Sequence, residues 1–146
     1  MSTRGCVGIV CNGIEKIGYN HYDSYPEGLG VEVLDFLKGK SYDELKNLFE
    51  AIHLTNDEKD FQCWGENGFK NTFMDDHDFM KDGLFCEYAY LINLDTRKLE
   101  FYVGGYKKPG RGRYARKGTV YEGYYGVHLK KQIPLSKTFK GNASIA

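Results

Sequence analysis

Between His21 and Gly30 the chain reads His-Tyr-Asp-Ser-Tyr-Pro-Glu-Gly-Leu-Gly. An imidazole, two carboxylates, two phenols and a hydroxyl fall within ten residues. His21 can gain or lose a proton near neutral pH, and Asp23 can orient an imidazole. Ser24 and Tyr25 can donate hydrogen bonds. If a helix starts at Leu29, the backbone N–H groups near Gly28 and Gly30 face the same loop, and a helix N-terminus favours anions. The competing reading is a turn in which Asp23 and Ser24 satisfy local backbone and Pro26-Glu27-Gly28 reverses the chain.

The elements flanking this loop follow from hydrophobic pattern and turn chemistry. Gly5 to Cys11 and Ile14 to Tyr19 are two strand-like runs separated by Asn12-Gly13, a strong hairpin signal because both residues tolerate positive φ. Pairing across that turn opposes residues whose numbers sum to about 25. Cys6 then lies near Tyr19, and Arg4 near Asn20 and His21. Arg4 thus becomes a candidate fixed charge beside the loop, able to make bidentate contacts to an anion. The same register weakens a Cys6–His21 nucleophile pair. Gly5-Cys6-Val7-Gly8-Ile9-Val10 faintly resembles the start of amidotransferases with an N-terminal cysteine nucleophile. That chemistry needs the cysteine first in the mature chain, and five residues precede Cys6.

A first helix is expected from about Leu29 to Lys38, ended by Gly39. A second follows Ser41, where Ser41 and Glu44 form a capping box and Leu45, Leu48, Phe49 and Ile52 share one face. Residues 53–83 suggest short helices after Thr55 and near Phe73–Lys81, with irregular backbone around Trp64. Leu84 to Leu94 and Leu99 to Val103 form a second hairpin, and Tyr124 to Ile133 a last strand. The tail from 134 to 146 is small and polar and is expected to fray. The fold class is therefore α+β: one domain over 1–146, with an antiparallel sheet of about five strands and two main helices on one face.

The chain resembles a group of small, largely uncharacterised bacterial and phage proteins. Their members begin Met-x-Thr-Arg, carry a strand ending in an aromatic residue and His, and continue Asp-x-Tyr-Pro-x-Gly-x-Gly. The matching residues here are Thr3-Arg4, Tyr19-Asn20-His21 and Asp23-Ser24-Tyr25-Pro26-Glu27-Gly28-Leu29-Gly30. The hairpin residues Tyr88 to Asp95 are also similar to members of the group. The likeness covers the first third of the chain well and the second half loosely. It brings no assigned activity. It implies a phage-type accessory protein, with a role against host defence such as sequestering a nucleotide signal.

Composition narrows the classes. Aromatics reach 15%, and the 146 residues carry 20 basic and 20 acidic side chains; this balance argues against a dedicated nucleic-acid binder, since no domain-wide basic excess exists. Charge is nevertheless segregated. Residues 55–83 hold eight acidic groups, whereas residues 104–118 hold Lys107, Lys108, Arg111, Arg113, Arg116 and Lys117 with no acid. Tyr106 and Tyr114 interleave these cations and five glycines punctuate them, which suits a lid closing over an anion or a subunit contact. A solvated hairpin loop is the bland alternative.

The donors His21, His53, Cys63, His77, Cys86 and His128 show no zinc-ligand spacing. Asp75-Asp76-His77-Asp78 lacks the glycine and spacing of a calcium loop. No metal or other cofactor is expected. Four cysteines without a C-x-x-C pair, and no signal-peptide pattern, point to reduced thiols in a cytoplasmic protein, in the host cell if phage-encoded. No apolar run approaches a membrane span.

The leading expectation is a binding protein for a small phosphate-bearing, nucleotide-like ligand. Arg4, His21, Asp23, Ser24 and Tyr25 would form its fixed side, and Arg111 and Arg113 its mobile side. A hydrolase would use the same loop, with His21 as acid/base and Asp23 orienting it. A third class is an inhibitor of a host protein that works through aromatic and charged patches. Ligand turnover and homo-oligomerisation stay open at this point.

Overall fold

The computed structural model describes residues 3–55, 73, 74, 80, 85–115 and 123–145. Strands β1 (Gly5–Cys11) and β2 (Ile14–Asn20) form the first hairpin, with Asn12 and Gly13 at φ of 53° and 75°. Its register runs from Gly5 opposite Asn20 to Cys11 opposite Ile14. A π-helical turn (Pro26–Gly30) leads into α1 (Val31–Leu37), and α2 spans Tyr42–Ala51. Two short strands, β3 (Leu54–Thr55) and β4 (Phe73–Met74), pair with each other. Then come β5 (Tyr88–Asn93), β6 (Lys98–Val103), β7 (His128–Pro134) and α3 (Leu135–Phe139). Of the short helices expected after Thr55 and near Phe73–Lys81, the described residues show strand at Thr55 and at Phe73–Met74; the rest of both, apart from Met80, and the stretch around Trp64 lie outside the described residues.

The main sheet has five strands in the order β2-β1-β5-β6-β7, and the fold is α+β. The sheet is mostly antiparallel, but its central pair, β1 and β5, is parallel. The reason lies in the first hairpin. It returns the chain at Asn20 to the end of the sheet where β1 began, and β5 starts at that same end, with Tyr88 beside Gly5. A strand that starts there and pairs with β1, rather than with the nearer-in-sequence β2, must run parallel to β1.

Both faces of the sheet are covered. Val7, Ile9, Tyr90, Ile92, Leu99 and Phe101 point to a core shared with Val33 and Leu37 of α1, Leu45 and Phe49 of α2, and Leu135 of α3. The Ser41 hydroxyl accepts the Glu44 N–H at 3.2 Å and starts α2 as the capping box requires. Lys16 closes the other end of α2 by donating to the carbonyls of Phe49 and Ile52. Replacing a wholly buried leucine such as Leu45 with alanine would cost about 2–5 kcal/mol.

The opposite face carries Cys6, Val10, Ile17, Ala89, Leu91 and Tyr102. It is closed by Tyr114 and Val127, from the segment between β6 and β7, and by Met80. The last residues depart from the fraying expected of them. They form α3, and Ile145 returns to the first core with 6% of its surface exposed. Gly39 N–H bonds the Phe139 carbonyl at 2.9 Å, which fastens α3 to the end of α1. Leu135 and Ile145 bury enough apolar surface to hold a segment whose average composition is polar.

Candidate functional site: a basic pocket beside the last strand

Geometry gives most of the His21–Gly30 loop a structural part. Leu29 N–H bonds the Asp23 carbonyl at 2.8 Å, and Gly28 and Gly30 N–H both reach the Tyr25 carbonyl. Val31 N–H bonds the Gly28 and Pro26 carbonyls. The donors that would make this helix start an anion site are therefore used within the turn. Gly28 is required there, because a Cβ would sit 2.3 Å from the Asp23 carbonyl oxygen. Helix α1 consequently begins at Val31 rather than Leu29.

Ser24 is fully buried and packs on Gly5. Its hydroxyl accepts from Asn20 Nδ2 at 2.9 Å, and its carbonyl accepts the Tyr90 hydroxyl at 2.7 Å. Asp23 is exposed and left-handed, at φ 54°, and Asp23 Oδ1 accepts the Tyr25 hydroxyl at 3.3 Å. The Asp23 charge, then desolvation, raises the Tyr25 phenol above its ordinary pKa.

His21 Nδ1 lies 2.6 Å from the Tyr19 hydroxyl, and the imidazole meets Tyr22 edge-on. Tyr19, not Asp23, thus orients the imidazole. Arg4 lies one residue beyond the Gly5–Asn20 pair, beside His21 in register. Its N–H donates to the Glu87 carboxylate at 2.8 Å, and its guanidinium carbon stands 5.5 Å from the Phe85 ring centre. Pro26 and Glu27 border a groove of about 350 Å³ between α1 and the C-terminal residues. Its ionisable lining is Glu27, Asp35 and Lys38, which gives no surplus positive charge.

The segment after β6 lies across the second face of the sheet and is fixed there. Arg113 reaches Glu15 through Nε at 2.8 Å and Nη2 at 2.7 Å, and its Nη1 lies 3.6 Å from Glu100 Oε1. Tyr114 donates to the other oxygen of Glu15 at 2.8 Å, and Tyr102 donates to Glu100 at 3.0 Å. Burial is the main cause holding the phenols of Tyr102 and Tyr114 well above the usual range. Arg113 opposes the rise, while Glu100 beside Tyr102 and Glu15 beside Tyr114 add to it. Arg113 is therefore committed to carboxylates of the protein itself, and fastens the segment between β2 and β6.

Arg111 is placed differently. With Lys108 and Lys130 it lines a pocket of about 360 Å³ beside the start of β7, and among the described residues no carboxylate contributes to that lining. One wall is Tyr106 stacked on His128, with ring centres 4.0 Å apart and planes inclined by 12°. His128 Nε2 lies 2.9 Å from the Lys108 carbonyl, and because a carbonyl only accepts, this nitrogen carries the proton. Gly110 is needed at this point, since a Cβ would lie 2.3 Å from His128 Nδ1. Backbone bonds from Leu129 N–H to the Arg111 carbonyl and from Tyr125 N–H to the Tyr106 carbonyl set the pocket against β7.

The loop and the pocket stand at the same end of the sheet but at opposite edges. Asn20, Gly5, Tyr88, Val103 and His128 form one row across the five strands. Four interstrand steps make that row about 19 Å wide. Arg4, His21, Asp23 and Tyr25 thus gather at the β2 edge and Arg111 at the β7 edge, with Arg113 on the sheet face between β2 and β6.

The sequence marked Arg111, Tyr106 and the surrounding cations, but the pocket adds His128 and Lys130. A signal was available: His128-Leu129-Lys130 opens the strand that follows the basic segment, so a β6–β7 pairing brings the two together. Arg116 and Lys117 lie outside the described residues. Set beside known proteins, the chain matches no protein-family model, no curated protein and no solved structure.

Proposed function

We propose that the protein binds a small phosphate-bearing ligand in the pocket formed by Lys108, Arg111 and Lys130, and holds it without converting it. One observation carries this reading: Lys108, Arg111 and Lys130 line one concavity, and among the described residues no carboxylate joins them. Like charges lining one concavity repel one another. A bound anion reverses the sign of that energy. Arg111 supplies a planar fork suited to phosphate oxygens, and the two lysines supply point charges. In the phage setting that the sequence resemblance implies, such a protein would remove a nucleotide-like host signal from solution.

The hydrolase alternative calls for Asp23 against His21. Asp23 accepts from Tyr25 instead, and Tyr19 holds the imidazole. At Arg4 the Glu87 carboxylate already accepts the backbone N–H, and Asp23 and Glu27 stand in the neighbouring loop, a poor setting for an anion.

The test is to mix the protein with a panel of linear and cyclic nucleotides, remove free ligand, heat-denature the complex and chromatograph what is released. Intact ligand supports sequestration. A converted ligand, with conversion lost in His21→Ala, establishes the hydrolase instead. Failure of every nucleotide to bind, together with a host protein that co-purifies, would leave the inhibitor reading and remove this one.

A further inference from the structure

We infer that the pocket recognises a chain of linked phosphates and makes no use of a nucleoside attached to it. This inference rests on the phosphate-binding reading above and narrows it.

A protein that reads a nucleoside needs acceptors for ribose hydroxyls and base N–H groups, and an aromatic face free to stack on the base. Lys108, Arg111 and Lys130 offer donors only. Among the described residues, the lining contains no Asp, Glu, Asn, Gln, Ser or Thr side chain. His128 is buried, its Nε2 is spent on the Lys108 carbonyl, and Gly110 covers the Nδ1 side of the ring.

The aromatic faces are occupied as well. Tyr106 is stacked on His128, and the Lys130 ammonium stands 4.4 Å from its ring centre. Nearby, the Lys107 ammonium stands 5.0 Å from the centre of the Tyr124 ring. A base that stacked on Tyr106 would have to displace either the imidazole or the ammonium. What the pocket offers without rearrangement is positive charge and N–H donors, with three cations in one concavity. That is the complement of a di- or triphosphate group, whose oxygens are acceptors throughout.

Isothermal titration of the full chain with tripolyphosphate, pyrophosphate, ATP and adenosine, at constant ionic strength and with a chelator present, tests this. Tripolyphosphate and ATP are expected to bind within about threefold of each other, a difference well under 1.4 kcal/mol, and adenosine not at all. Arg111→Ala should weaken both by about tenfold or more, the usual effect of losing a hydrogen bond to a charged group. Lys130→Ala, an exposed strand position, should weaken both in parallel and guards against a folding defect in the first variant. ATP binding more than about tenfold tighter than tripolyphosphate would overturn the inference while leaving the phosphate-binding reading intact. If neither binds, the underlying reading itself fails. If both bind but neither variant weakens them, the phosphate site lies elsewhere and the inference falls with its pocket.

Discussion

Replacing Arg113 with methionine should destabilise the protein far more than a surface arginine would suggest. The guanidinium is 41% exposed in its side chain, yet one of its two carboxylate partners, Glu100, is only 4% exposed. The Glu15 pair is accessible to water and is worth about 1 kcal/mol or less. Removing a partner from a buried pair strands a charge and costs about 3–5 kcal/mol when both members are buried. Here the Nη1 to Glu100 contact is 3.6 Å and the arginine is half open to solvent. The Glu100 share therefore falls below that range, at about 2 kcal/mol, and with the Glu15 pair the sum is about 3 kcal/mol. Urea unfolding followed by circular dichroism at neutral pH reads this directly, with the denaturant slope unchanged. Glu100→Gln in the Arg113→Met background should recover about 2 kcal/mol, because the amide can still accept from Tyr102 and no charge is left behind. A loss below about 1 kcal/mol in the single variant, or no recovery in the double, would refute the reasoning. The same measurement separates two roles for Arg113, since a ligand cation would lose affinity before it lost stability.

Three further outcomes follow from named contacts. Tyr90→Phe leaves the buried Ser24 carbonyl without its 2.7 Å donor, so melting experiments should show a loss of about 1–3 kcal/mol, with hydrogen exchange accelerated in residues 21–30. The phenols of Tyr90, Tyr102 and Tyr114 hold their protons more tightly folded than unfolded, so the stability they confer is complete below about pH 10 and is lost as pH rises through their folded values. Alkaline titration should show their ultraviolet phenolate signal appearing together with the loss of circular dichroism, not ahead of it. Gly110→Ala puts a Cβ against the His128 ring, and should abolish phosphate binding through a displaced loop while the sheet survives in the far-ultraviolet spectrum.

Local chemistry made much of the fold legible in the sequence. Asn12-Gly13 set the first hairpin and its register, so Cys6 stands opposite Tyr19 as the turn required. Ser41 and Glu44 marked the start of α2, and the runs around Tyr88–Asn93 and Lys98–Val103 marked the second hairpin. What escaped was decided by distant partners. The parallel pairing of β1 with β5 depends on which edge of the first hairpin accepts the later strand. The order of the last residues depends on Leu135 and Ile145 finding the first core, which their polar neighbours obscure.

The site divided in the same way. Arg4 and His21 each adjoin the Gly5–Asn20 pair that a local turn sets. Arg111 and Arg113 stand two residues apart in a basic run, yet their surroundings differ entirely. Glu15 and Glu100 reach one of them from two other strands, while His128 and Lys130 frame the pocket of the other. Composition of a segment cannot report that difference, because the deciding charges lie far away in sequence.

Amide chemical-shift mapping with tripolyphosphate is the most direct test of the central claim. Saturable shifts are expected in residues 106–111 and 128–130, with residues 20–30 unmoved at the opposite edge of the sheet. Shifts confined to residues 20–30 and Arg4, with the β7 edge silent, would contradict it.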